Sequence, residues 1–211
     1  MSGVLIGSSN VYKFYRSDVY KSNNTYSMVR CTDINNFKAV MNNLEDEDKH
    51  VIISVVENFL SSAARNESTT EGYLLKMGET METYLRVLKE TAARMPATRF
   101  AVADPISRPI YEWYQTNFEA IELSFAEGIS WMKQNNITRV KAMPHGCQQF
   151  EADGVHLTDA SAQIFIETLL KESELFFAAK LVDLVEEERM EAQTELSPLE
   201  RLEKRLEYHF T

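Results

Sequence analysis

The chain has 211 residues, 44% of them hydrophobic, and a formal net charge of −10 at pH 7. That composition suits one sizeable domain, or one domain with an appendage, and excludes a disordered chain. The acidic balance disfavours direct nucleic-acid binding, because such affinity comes mainly from Lys and Arg neutralising phosphates. No apolar run reaches the roughly 18 residues of a membrane span. The N-terminus shows no basic segment followed by a long apolar stretch, so no signal peptide is expected. Two cysteines, Cys31 and Cys147, are too few for a disulfide framework. A reduced, intracellular setting is the expectation. Charge is uneven: residues 1–40 carry five Lys/Arg against two Asp, and 183–207 is dominated by Glu.

In chain order, "GVLIG" (3–7) is a short apolar run closed by glycine and two serines, and predicts a buried strand. "YSMVR" (26–30) predicts a second. "INNFKAVMNNL" (34–44) has helical spacing. "HVIISVVEN" (50–58) is β-branched and nearly continuous, as befits a strand covered on both faces. The stretch "NFLSSAARNESTT" (58–70) reads as a polar wall or lid. Over 71–94, Leu74, Met77, Met81, Leu85 and Leu88 recur at three and four, with Ser68 and Glu71 as a capping box. "RFAVADP" (99–105) and "RVKAMP" (139–144) predict two further strands. Between them, 109–135 has near-helical spacing, and 159–190 is a long helical pattern with room for one break. In the tail, Ser197 and Glu200 make a capping box around Pro198. Leu199, Leu202, Leu206 and Phe210 form one stripe there.

Strands alternating with helices predict a parallel sheet with helices on both faces. In such sheets ligands sit beyond the carboxyl ends of the strands. The loops after "VLI", "IISVV" and "VKAM" should therefore lie together, bringing Ser8, Ser9, Asn58 and His156 within reach of one another. Their chemistry is complementary. A serine hydroxyl needs a base to take its proton and a third group to orient that base. In "EADGVHLTDASAQIF" (151–165), Asp153 lies three residues before His156, so one turn can aim the carboxylate at the imidazole. "IGSSN" supplies the hydroxyl at a strand-to-helix turn. Each residue also has a plainer reading: Ser8 and Ser9 as helix caps, Asn58 as a turn residue, His156 as a surface histidine. His145, Cys147, Asp153 and His156 fall within twelve residues, but fit no compact zinc spacing. A Cys147–His156 thiol pair has no supporting signature. Neither a metal nor a cofactor is expected.

A strand ending in Gly-x-Ser, an Asn after the third strand, and D-G-x-H-L-T before a final helix resemble the SGNH, or GDSL-type, hydrolase superfamily. The resemblance spans about 3–175. It implies a three-layer α/β/α sandwich around a central parallel sheet of about five strands, flavodoxin-like in outline. It also implies ester hydrolysis through an acyl-enzyme. By position, Ser9 is the nucleophile, His156 the base and Asp153 its orienting partner. Asn58 and the Ser9 N–H would donate to the oxyanion. The family's second block supplies a glycine N–H; "VRCTDINN" has no glycine, which leaves Cys31, Thr32 or Asp33, with Thr32 the choice. The family has Asp where Ser8 stands. In "VVEN", Val56 replaces a glycine and Phe59 an Asp.

The expected division is a hydrolase domain over 1–175 and a C-terminal helical extension over 176–211. The expected substrate is a small-molecule ester, acetyl by preference, since no long apolar segment suggests a deep acyl channel. Loops 59–70 and 104–112 would border the site, with Arg108 and Tyr111 meeting the substrate. Trp113 and Tyr114 would stand near the substrate too, though core packing of the next helix is the plainer reading of all three aromatics, and solvation that of Arg108. The alternative is a binding or self-assembly module of the same fold with decayed chemistry, associating through its C-terminal helix. Esterase domains similar to this family occur in the first-reading-frame proteins of some LINE retrotransposons, beside self-associating segments.

Overall fold

A computed structural model describes residues 3–15, 26–45, 50–63, 65, 67, 69–132, 136–144 and 146–194. The chain divides into two units, Met1–Ser173 and Glu174–Thr211. Five strands, β1 (Gly3–Gly7), β2 (Tyr26–Arg30), β3 (His50–Ser54), β4 (Arg99–Ala103) and β5 (Ile137–Val140), form one sheet in the order β2-β1-β3-β4-β5. Every pair is parallel: Gly7 lies opposite Arg30 on one side and Ser54 on the other. Val102 pairs with Ile53, and Ala103 with Val140. Helices are α1 (Ser9–Tyr15), α2 (Ile34–Asn42), α3 (Val56–Ala63), α4 (Thr70–Arg94), α5 (Glu112–Thr116), α6 (Phe118–Trp131) and α7 (Asp159–Thr194). This is the expected three-layer α/β arrangement.

β1 and β4 are buried along their whole length, and β2 and β5, at the edges, are only partly covered. Side chains alternate across the sheet. Val4, Ile6, Val51, Ile53, Phe100 and Val102 join one large core with α2, α3, α4 and α6. Phe37, Phe59, Tyr84 and Phe125 meet there, with Phe37 and Tyr84 stacked at 5.0 Å between centroids. Leu5, Ile52 and Ala101 point the other way and are equally buried, as are Phe165, Ile166 and Leu169 of α7.

Several boundaries differ from expectation. The apolar run 50–58 is not one strand. It stops at Ser54, and α3 begins at Val56. Apolar residues 51–60 suit either state; burial in the helix layer decided for Val56, Phe59 and Leu60, all within 2% exposure. The polar wall expected over 58–70 is therefore helical to Ala63. Thr69, not Ser68, caps α4, its hydroxyl accepting from Gly72 N–H at 3.1 Å; Ser68 itself lies outside the described residues. The pattern over 109–135 is two helices meeting at Asn117, whose side-chain amide donates to Trp113 O at 2.7 Å. The last strand lies earlier than expected, and α7 runs without a break. The tail over 196–211 lies outside the described residues.

Candidate active site

The sheet reverses direction of winding at β1 and β3: after β1 the chain moves outward to β2, and after β3 toward β4. Loops leaving these two neighbours part, and the space between them is where ligands bind in such folds. Ser8 N–H donates to Ser54 O at 2.9 Å, so the two strand ends are joined at this point. Gly7 is required here, because a Cβ would stand 2.6 Å from both Met28 Cε and Val11 Cγ1.

The two serines are not equivalent. Ser8 is fully buried, and its hydroxyl has no hydrogen-bond partner among the described residues; its carbonyl, not its side chain, receives Tyr12 N–H at 2.9 Å. It therefore does not act as a side-chain cap. Ser9 is half-buried and opens α1. At the first residue of a helix its N–H has no carbonyl a turn earlier to receive it.

The segment 150–157 folds back on itself. Phe150 bridges Leu157, Glu151 N–H donates to His156 O at 2.8 Å, and Gly154 N–H to Glu151 O at 2.9 Å. Gly154 has φ +61°, a left-handed turn suited to glycine, and a Cβ there would also press on Ile110 at 3.1 Å. Within this turn, Asp153 Oδ1 accepts the N–H groups of Val155 and His156, each at 2.9 Å. Its Oδ2 lies 2.5 Å from His156 Nδ1. The His156 backbone N–H, then the imidazole and the Val155 N–H, hold the Asp153 carboxyl well below the usual carboxylate range. A carboxylate only accepts, so Nδ1 is the protonated nitrogen and Nε2 is left as a base.

Asn10 ties this turn to α1. Its buried side chain accepts Leu157 N–H at 3.0 Å, across 147 residues of sequence. The residue after Ser9 is thus bonded to the residue after His156. Sequence reading missed Asn10; its only signal was a second polar residue beside Ser9 in the first turn of α1.

Asn58 is the third residue of α3. Its Oδ1 accepts from Arg108 Nη2, and its carbonyl accepts Ser61 Oγ at 3.2 Å. Arg108, expected at the substrate, is 4% exposed, and its guanidinium faces inward to Asn58, to Ser61 Oγ at 3.2 Å and to the buried Glu57 at 3.9 Å. Nothing in the sequence set Arg108 apart from a solvated arginine. Glu57 and Ser61 were also missed; two polar residues one turn apart among the apolar Val56, Phe59 and Leu60 were the available hint.

Two of the three second-block donors, Cys31 and Thr32, are occupied. Cys31 N–H donates to Gly7 O at 3.0 Å, and Thr32 N–H to Asn36 Oδ1 at 3.3 Å. The Cys31 thiol is buried, and burial, with Asp33 adding, pushes it up to about 12, so it is no nucleophile at neutral pH. Tyr111 is half-buried, its hydroxyl taking a bond from Arg65 at 3.2 Å. Trp113, half-buried like Tyr111, packs against the core and stacks on Tyr73 at 4.7 Å between centroids, while Tyr114 is fully buried in the core. Glu151, Asp153 and His156 bring potential ligand atoms within 4.8 Å of one another, but Asp153 and His156 Nδ1 are already bonded inside the turn. His145 of the zinc alternative lies outside the described residues. No helix among the described residues is long and apolar enough to cross a membrane.

No family model and no curated protein matches this sequence. Solved structures do. A Streptococcus pneumonia protein, provisionally described as a platelet activating factor, aligns with TM-score 0.56 and 12% identity over 81% of this chain and 82% of its own. The lipase Lip_vut3 from a goat rumen metagenome gives 0.52 and 12%, over 80% and 97%. A member of the lipolytic protein G-D-S-L family from Veillonella parvula DSM 2008 gives 0.51 and 11%, over 81% and 97%. At such low identity it is the fold that is shared, and the chain carries the fold of the GDSL-type, or SGNH, lipases and esterases.

Proposed function

We propose that the protein is a serine esterase that cleaves a small acyl ester, acetyl by preference, through an acyl-enzyme on Ser9. The observation that carries this reading is the 151–157 turn. It binds Asp153 to both the backbone and the ring of His156, and is itself anchored beside Ser9 through Asn10. His156 Nε2 takes the Ser9 proton as Oγ bonds to the acyl carbon. The same proton then leaves with the alcohol as the ester C–O bond breaks. Water, activated by the same nitrogen, releases the carboxylic acid and restores Ser9. Asn58 Nδ2 and the Ser9 N–H donate to the oxyanion. Tyr111 borders the alcohol or acyl side. The engaged Cys31 and Thr32 N–H groups favour a second reading, a binding or assembly module of the same fold lacking a full oxyanion hole.

A fluorophosphonate probe separates the two. The native protein should be labelled once, on the peptide holding Ser9. Ser9→Ala should abolish labelling, His156→Ala should nearly do so, and Ser8→Ala should leave it measurable. A folded native protein that takes no label would leave the assembly reading in place. Loss of labelling in Ser8→Ala but not Ser9→Ala would move the nucleophile by one residue.

A further inference from the structure

Arg108 is a costly residue where it stands. Its side chain is 5% exposed; among the described residues its Nε is buried without a partner, and the one countercharge beside it, Glu57, is 3.9 Å away. A buried ion pair of this kind contributes little net stability, so stability alone is a poor account of it. What the guanidinium does in this fold is grip one end of Asn58. Guanidinium groups only donate hydrogen bonds, so the Asn58 atom facing Arg108 is the carbonyl oxygen. The other end, the NH₂, is thereby turned away from Arg108 and committed as a donor. Without that grip the terminal torsion of an asparagine is soft, and oxygen and nitrogen could exchange places. The second contact, Arg108 Nη1 to Ser61 Oγ, uses a hydroxyl that in turn bonds the Asn58 carbonyl. The arginine thus meets both the side chain of Asn58 and, through Ser61, its backbone. Its own loop is fastened to the histidine turn by Ile110 N–H to Gly154 O at 3.3 Å, and to the segment just before that turn by Gln148 Nε2 to Ser107 O at 3.2 Å.

We propose that Arg108 is a positioning residue that fixes the Asn58 amide with its N–H groups toward the oxyanion, a role that rests on the esterase reading above. It touches no substrate and acts through Asn58 alone.

The test is a double-mutant cycle on the full chain, with fluorophosphonate labelling as the readout, split into maximal rate and half-saturating probe concentration. Arg108→Lys keeps a cation beside Glu57 and loses the fork. Arg108→Met with Glu57→Gln removes both charges, so neither is left unpaired. Each should cut the maximal rate by up to about 10²-fold, the cost of a small misplacement of a reacting group. The half-saturating concentration should stay near native. In an Asn58→Ala background the same changes should cost almost nothing further, because the group they position is gone. Asn58→Asp, which leaves Arg108 an acceptor but removes the NH₂, should melt at or above the native temperature and label as slowly as Asn58→Ala. Losses that add to that of Asn58→Ala, or that fall on the half-saturating concentration, would mean Arg108 has a separate role and overturn the proposal. Native-like labelling of Arg108→Lys or Asn58→Asp would do the same. Absence of labelling in the native protein would instead sink the esterase reading, and this proposal with it.

Discussion

Asp153 has two tasks, and one substitution separates them. Asn at 153 can still accept the Val155 and His156 N–H groups through Oδ1, so the turn should survive. Its other end would be an NH₂ facing His156 Nδ1, which forces the proton onto Nε2 and removes the base. Asp153→Asn should therefore lower the labelling rate by about 10⁴-fold while the melting temperature stays near native. A drop of tenfold or less would show that the imidazole is oriented by something else. Cys31 gives a second residue-scale prediction. Its thiol ionises near 9 in the unfolded chain and near 12 in the folded one. As pH rises past 9 the unfolded state gives up its proton first. The stability contributed by the neutral buried thiol is therefore complete below pH 9 and is lost between 9 and 12. The stability gap between the native protein and Cys31→Ala, read from denaturant midpoints, should narrow over that window. A gap constant with pH would mean that the folded thiol ionises as readily as the unfolded one.

Elements begin and end here for local reasons that can be tested one at a time. α4 starts at Thr70 because the Thr69 hydroxyl takes Gly72 N–H, one of the donors a helix start leaves unpaired. Thr69→Ala should cost about 1 kcal/mol in chemical denaturation and leave labelling unchanged, since α4 contributes no site residue. A cost within error would mean that water satisfies Gly72 equally well. α3 is the more consequential element. Ending β3 at Ser54 and entering a helix at Val56 puts Asn58 in a first turn, at the carboxyl edge of the sheet. Had the β-branched run continued as a strand to residue 58, Asn58 would have been carried past the crevice.

On the scale of the whole molecule, Ser9, Asn58, Arg108, Asp153 and His156 all lie in the unit Met1–Ser173. We propose that residues 176–211 form a C-terminal extension, in which Leu199, Leu202, Leu206 and Phe210 recur in the sequence at amphipathic spacing. Deleting 196–211 should then leave Ser9 labelling intact but lower the melting temperature or change the mass in solution. Burying a single Leu is worth about 1.5–3 kcal/mol, so the loss of several should be visible. Both properties unchanged would make the segment a free appendage.

The sequence by itself determined the alternation of strands and helices, because β-branched runs of about five residues and apolar spacings of three and four have different periods. It also determined the Asp153–His156 pair, because a turn of three residues around glycine is a local event. Neither depends on distant contacts. What only the tertiary structure decided was everything set by burial against remote residues. The run 51–60 is apolar but for Ser54, Glu57 and Asn58, and packing beside α4 made its second half a helix. Arg108 is an ordinary loop arginine until folding places Asn58, fifty residues earlier, against its guanidinium. Ser8 and Ser9 are the same side chain in adjacent positions, and only the way α1 leaves β1 buries one and opens the other. Asn10 and Leu157 carry no mark of each other, because a hydrogen bond across 147 residues is made by the fold and leaves no period in the chain.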